Sequence, residues 1–137
     1  MFTMRSSILV IDDDADDIEI IQDAFSSLQY PNVTYCTSAS EAIEHLSTAA
    51  PDRLPSLIVT DNSVPATEGF EFIKHVKEVD QYAAIKVVVL STHVSDRNKE
   101  KLLNAGVLKV INKPQSFPGY LSLSLSLTQL AEQQLIK

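Results

Sequence analysis

Ile8-Leu9-Val10-Ile11-Asp12-Asp13-Asp14 is the stretch that decides the fold. Four apolar residues run without a polar break and stop abruptly at three aspartates. A short, β-rich, continuously apolar run reads as a strand buried on both faces, the habit of parallel sheets. Behind it, residues 16–28 carry apolar side chains at Ile18, Ile21, Ala24, Phe25 and Leu28. That spacing is helical, and acids at its start suit a helix N-terminus. Tyr30-Pro31-Asn32 then breaks the helix.

The strand-then-helix unit recurs along the chain. Residues 33–36 read as a second strand and 40–48 as a helix, with a two-proline loop over 49–55. Residues 57–60 form a third apolar run ending at Asp61, followed by a polar loop over 62–67 and a helix over 68–79. Residues 85–90 read as a fourth strand ending at Ser91-Thr92. Residues 95–105 read as a helix with Gly106 as its C-cap. Residues 107–111 make a fifth strand before Asn112-Lys113-Pro114, and the remainder forms a last helix. Alternating apolar strands and helices predict an α/β fold. With right-handed crossovers, the expectation is a flavodoxin-like, doubly wound, five-stranded parallel sheet of order 2-1-3-4-5 with five helices. Leu121-Ser-Leu-Ser-Leu-Ser-Leu127 alternates with the period of a strand. Its leucines also fall at i,i+4 spacing, and Gln and Ala residues continue a helix. The helical reading is preferred, and it leaves an exposed apolar stripe.

Length and charge narrow the function. The chain has 137 residues, one domain's worth, with 45% hydrophobic and 21% charged residues, so it can fold without staples. Eleven Lys and Arg face 18 Asp and Glu, for a net charge of −7. That balance argues against direct nucleic-acid binding, which needs clustered cations. A single cysteine, Cys36, excludes an internal disulfide and a Cys-based metal cage, and it reads as a small hydrophobe of the second strand. No stretch reaches the length of a membrane span, and residues 1–10 do not resemble a signal peptide. A cytoplasmic single domain over 1–137, with its core at about 6–135 and no output domain, is expected.

In open α/β sheets, sites lie outside the carboxyl ends of the strands. There the first strand delivers Asp12 and Asp13, the third Asp61, the fourth Ser91 and Thr92, and the fifth Lys113. Converging carboxylates repel one another and invite a cation. Mg²⁺ takes a few carboxylates plus waters and phosphate oxygens. A lysine and a hydroxyl beside it complete a phosphoryl-binding set, and a carboxylate can itself be the nucleophile. The residues therefore point to metal-assisted phosphoryl transfer onto, or through, an aspartate. Asp14, Asp16 and Asp17 read more simply as dipole-favoured acids of a helix start. His45, His75 and His93 have no ligand spacing.

This ordered set resembles the receiver domain of two-component response regulators. Asp61 lies 49 residues past Asp12, Ser91 lies 30 past Asp61, and Lys113 lies 22 past Ser91. Pro65 and Gly69 also resemble the family's loop. The resemblance implies that Asp61 accepts a phosphoryl group from a phosphohistidine of a histidine kinase or histidine phosphotransfer protein. It implies Mg²⁺ ligated directly by Asp13 and Asp61, by Asp12 through water, and by the backbone carbonyl of Ser63. Lys113 would pair with a phosphoryl oxygen and Ser91 would bond another. The Lys113–Pro114 bond would be cis. Output would pass by contact with an unknown downstream protein, with a homodimer through the fourth helix, fifth strand and fifth helix as a further expectation. Such a chain phosphorylates and dephosphorylates itself and is not a turnover enzyme on a small substrate.

Two residues depart from the family's pattern. Val110 stands where the family usually has Tyr or Phe, and Thr92 where it often has Ala or Gly. They motivate the alternative of a receiver-like scaffold with vestigial phosphorylation. His93 and Ser63 occupy positions that tune phosphoryl lifetime in the family. A dehalogenase-type hydrolase would need its nucleophile after the first strand and a cap insertion, and the chain is too short for it. A flavin carrier is disfavoured by the lack of Trp and of a phosphate-binding loop after the first strand.

Overall fold

The computed structural model describes residues 6–61 and 66–133, and of residues 66–69 the backbone alone. Five strands and five helices alternate: β1 (Ile8–Ile11), α1 (Ala15–Ser27), β2 (Val33–Cys36), α2 (Ala39–Thr48), β3 (Leu57–Asp61), α3 (Ala66–Glu78), β4 (Lys86–Ser91), α4 (Asp96–Asn104), β5 (Lys109–Asn112) and α5 (Phe117–Glu132). A short 3-10 turn at Pro51–Arg53 precedes β3. The strands are all parallel in the order β2-β1-β3-β4-β5, as expected from the apolar runs. No helix of the described residues is long and apolar enough to cross a membrane.

Strand alternation divides the core in two. Leu9, Ile11, Ile58, Val87 and Val89 face α2, α3 and α4, where Leu46, Phe72, Ile73, Val76 and Leu102 meet them. Ile8, Val10, Leu57, Val59, Val88 and Leu90 face α1 and α5, against Phe25, Ile21, Leu123 and Leu127. The inner strands β1, β3 and β4 are covered on both faces, which is why their runs are apolar up to the ends, while the edge strands β2 and β5 leave Thr34, Lys109 and Asn112 exposed. Each large apolar side chain so buried contributes about 1.5–3 kcal/mol. Cys36, the last residue of β2, packs in the first cluster as a small hydrophobe.

Local signals explain the helix boundaries. The Asp14 carboxylate accepts from the N–H groups of Asp16 and Asp17 and caps α1. Ser38, Ser95 and Ser116 cap α2, α4 and α5 through their hydroxyls. Gly106 follows α4 at φ +111°, backbone that glycine adopts without strain, and ends the helix as expected.

The period-two leucines are helical. Leu123, Leu127 and Ala131 line one buried face of α5, while Leu125 is 50% exposed. As a further strand they would leave Val10, Val59 and Leu90 uncovered. As a helix packed on α1 they close the second core. Tertiary burial therefore overrides the local alternation. The expected apolar stripe is present as the exposed Phe117 and Leu125 with the half-buried Leu121 between them, spaced four residues apart on α5.

Candidate functional site

Register places the reactive groups before any side chain is considered. Ile11 pairs with Thr60, so the next residues, Asp12 and Asp61, leave neighbouring strands at the same level. Asp61 pairs with Leu90 and Leu90 with Ile111, so Ser91 stands one residue above Asp61 and Lys113 two residues above Ile111. The Lys113 N–H donates to the Ser91 carbonyl at 2.8 Å, which extends the β4–β5 ladder to the base of the lysine. Four strand ends thus supply one cluster, as the topology demands.

The acids are held in an ordered way. Asp61 is 3% exposed, and Asp12 and Ser91 are also buried, while Asp13 is exposed. Asp12 Oδ1 accepts from the Asp14 N–H at 2.9 Å. One oxygen from each of Asp12, Asp13 and Asp61 lies within 4.8 Å of the others. Lys113 Nζ, on a side chain 10% exposed, donates to Asp12 Oδ2 at 3.2 Å and to Asp17 Oδ2 at 2.6 Å, and it pairs with Asp61 Oδ1 at 3.0 Å. One ammonium therefore balances three carboxylates, and Asp13 has no share in it.

Electrostatics follow from that shortage of cations. Burial pushes Asp12 up to about 6, Asp61 adds to the rise, and the Asp14 N–H and Lys113 oppose it. For Lys113, burial acts to lower the ammonium's pKa. The hydrogen bonds to Asp17 and Asp61 and the charge of Asp12 outweigh burial and raise it. The lysine is thus protonated at any physiological pH. An all-oxygen set of three carboxylates so close together suits a hard divalent ion such as Mg²⁺.

Asp12, Asp13, Asp61 and Lys113 come together, Ser91 is buried at the adjoining end of β4, and Thr92 and His93 are exposed beyond it. Ser63 and Pro65 lie outside the described residues. Val110 is half-buried and packs on the α2–α3–α4 side of the sheet. Lys113–Pro114 is trans, since no cis peptide occurs among the described residues, and this corrects the expectation drawn from resemblance. A trans X–Pro amide is intrinsically favoured by about 0.5–1 kcal/mol. In that form Lys113 already reaches all three acids.

Asp17 is the residue that sequence reading missed. It was assigned to the helix start, yet it binds Lys113 more closely than Asp61 does. A signal existed. Ile21, Ala24 and Phe25 are the buried face of α1, and Asp17 heads that same stripe one turn earlier. An acid at the top of an apolar stripe points inward, not to solvent.

A family model of the response regulator receiver domain matches residues 8–121. The chain belongs to that family. Among similar proteins, the two-component response regulator ORR3 of Oryza sativa subsp. indica is 33% identical over 107 residues, spanning 78% of this chain and 79% of ORR3. Solved response-regulator structures share the fold, and two illustrate it. The phosphorylated cyanobacterial phytochrome response regulator RcpA gives a TM-score of 0.80 at 23% identity, covering 93% of this chain and 94% of RcpA. The Mn(2+)-bound form of response regulator Rcp1 gives 0.76 at 17% identity, covering 96% and 97%. This receiver has the expected five-stranded order, with its acid cluster at the carboxyl end of the sheet.

Proposed function

We propose that Asp61 is the phosphoacceptor of this receiver and that its donor is a phosphohistidine of a histidine kinase or histidine phosphotransfer protein. The observation that carries this reading is the placement of Asp61. It is buried at the end of β3, ion-paired to Lys113 at 3.0 Å, with carboxylate oxygens of Asp12 and Asp13 within 4.8 Å. An Asp61 oxygen attacks phosphorus, the N–P bond breaks, and the imidazole nitrogen keeps the electron pair and regains a proton. Lys113 would offset charge on the phosphoryl oxygens, and the hydroxyl of Ser91, buried at the end of the neighbouring β4, would donate to another.

Asp12, Asp13 and Asp61 would hold Mg²⁺, which when bound neutralises carboxylate and phosphoryl charge. The Mn(2+)-bound form of Rcp1, a neighbour in fold, supports a divalent ion in this receiver. The chain acts on itself and is not a turnover enzyme. Its output runs through protein contact. Exposed Leu103 on α4, Leu108 before β5 and Leu125 on α5 support a dimer through that face, beside the open edge of β5. Sedimentation showing only monomer, with and without acetyl phosphate, would remove the dimer.

The deciding experiment is intact-protein mass after incubation with acetyl phosphate and Mg²⁺. A metal-dependent gain of one phosphoryl group, absent in Asp61→Asn and lost with hydroxylamine, supports the reading. If neither acetyl phosphate nor a phosphorylated kinase adds mass, the chain acts instead as a receiver-like scaffold.

A further inference from the structure

Beside the acid cluster lies a small, partly enclosed cavity of about 10 Å³, lined by Val10, Ile11, Ile21, Val59 and Leu90 on its apolar side. Its polar lining is Asp12, Asp17, Asp61, Lys113 and Tyr120. Four of these five are charged. Tyr120 is the one neutral polar group, and it comes from α5 rather than from a strand end or α1. It is 5% exposed and begins the buried stripe continued by Leu123, Leu127 and Ala131. Burial raises its phenol pKa, and the nearby Asp17 charge raises it further, so the hydroxyl stays a neutral donor. At this size the cavity holds at most one water and cannot admit a phosphoryl group. Any influence of Tyr120 on the site therefore passes through the residues that line the cavity with it.

A second, mechanical contact runs the same way. Gly119, next to Tyr120, lies so close to Pro114, next to Lys113, that a Cβ at Gly119 would stand 2.8 Å from Pro114 Cβ. Proline's ring cannot swing aside. The first turn of α5 is thus seated directly on the residue that follows the site lysine.

We propose that Tyr120 is the positioning residue that couples the charge state of the Asp12–Asp61–Lys113 cluster to the first turn of α5. The inference rests on the phosphoacceptor reading above. When charge is added at Asp61, Lys113 moves or rebalances among its carboxylates. Tyr120 senses this across the cavity, and Gly119 senses it through Pro114. The element that reports phosphorylation is then the start of α5.

The test uses the full chain labelled with 3-fluorotyrosine. Four tyrosines give four ¹⁹F lines, and Tyr120→Phe identifies one of them. Acetyl phosphate and Mg²⁺ are added while intact mass is followed in parallel. The Tyr120 line is expected to move with the mass gain. The lines of Tyr30 and Tyr82, which precede β2 and β4 at the opposite end of the sheet, are expected to stay in place. Gly119→Ala should reduce the movement while leaving the mass gain unchanged. A full mass gain with a static Tyr120 line overturns the inference and leaves the phosphoacceptor reading standing. A Tyr120 line that moves equally in Gly119→Ala overturns the Pro114 route. Failure of any mass gain overturns both, and the mass spectrum shows it before any line is read.

Discussion

Lys113 Nζ lies 2.6 Å from Asp17 Oδ2, nearer than to Asp61 Oδ1 at 3.0 Å. The site lysine is therefore shared between a helix acid and the strand-end acids. Asp17 is 31% exposed and stands apart from the three carboxylates that could hold a metal. Asp17→Asn is expected to cost about 1 kcal/mol of stability, as a partly solvated ion pair does. It should leave the phosphoryl gain on Asp61 intact. Urea unfolding read beside intact mass checks both halves, and loss of the mass gain would move Asp17 into the acceptor machinery.

Removing the lysine has a larger effect. Lys113→Met keeps the side chain's length but strands Asp12 and Asp61, both buried, without their cation. Breaking such a pair costs about 3–5 kcal/mol. The expected result is a strongly lowered urea midpoint in EDTA that Mg²⁺ largely restores. A midpoint insensitive to Mg²⁺ would contradict a metal site at these acids.

Within α5, one buried group is poorly served. Ser124 is 0% exposed, and its hydroxyl has no hydrogen-bond partner. Ser124→Ala removes an unsatisfied polar atom and improves helix propensity. A gain of about 1–2 kcal/mol is expected in thermal or urea unfolding. Destabilisation would mean that the hydroxyl finds a partner.

Cys36 carries the pH prediction. Burial pushes its thiol up to about 11, with the Glu41 charge adding to the rise. Between its ordinary value near 9 and about 11, the folded chain holds a proton that the unfolded chain has lost. Stability from this group is complete below pH 9 and falls as pH rises through 11. The urea midpoint of the wild type should therefore drop more steeply over that window than that of Cys36→Ala. Iodoacetamide at pH 8 should modify the thiol only as the chain unfolds. Rapid labelling of the folded protein would refute the burial argument.

The helix expected over 16–28 could be read because one-sided burial imposes a helical period, and the strand at 7–11 because burial on both faces leaves an unbroken apolar run. Asp12, Asp13, Asp61, Ser91 and Lys113 could be read as a set because each follows an apolar run. A parallel sheet puts all such positions at one end. Asp17 was assigned to capping because helix dipoles also attract acids. Its alternative partner, Lys113, is 96 residues away, beyond the reach of any local pattern.

The alternation of strands and helices, the two-faced core and the acids, hydroxyl and lysine at the strand ends were all legible in the order of residues. Those properties depend on which residues can be buried, and burial is written residue by residue. The folded packing was needed to show which carboxylates share Lys113, that the Lys113–Pro114 bond is trans, that the leucine run of α5 takes the helical of its two possible forms, and that Tyr120 lines a cavity with Asp61. Each of these is a choice among locally acceptable states. It is settled by the packing of segments distant along the chain, where distances of a few tenths of an ångström select the partner.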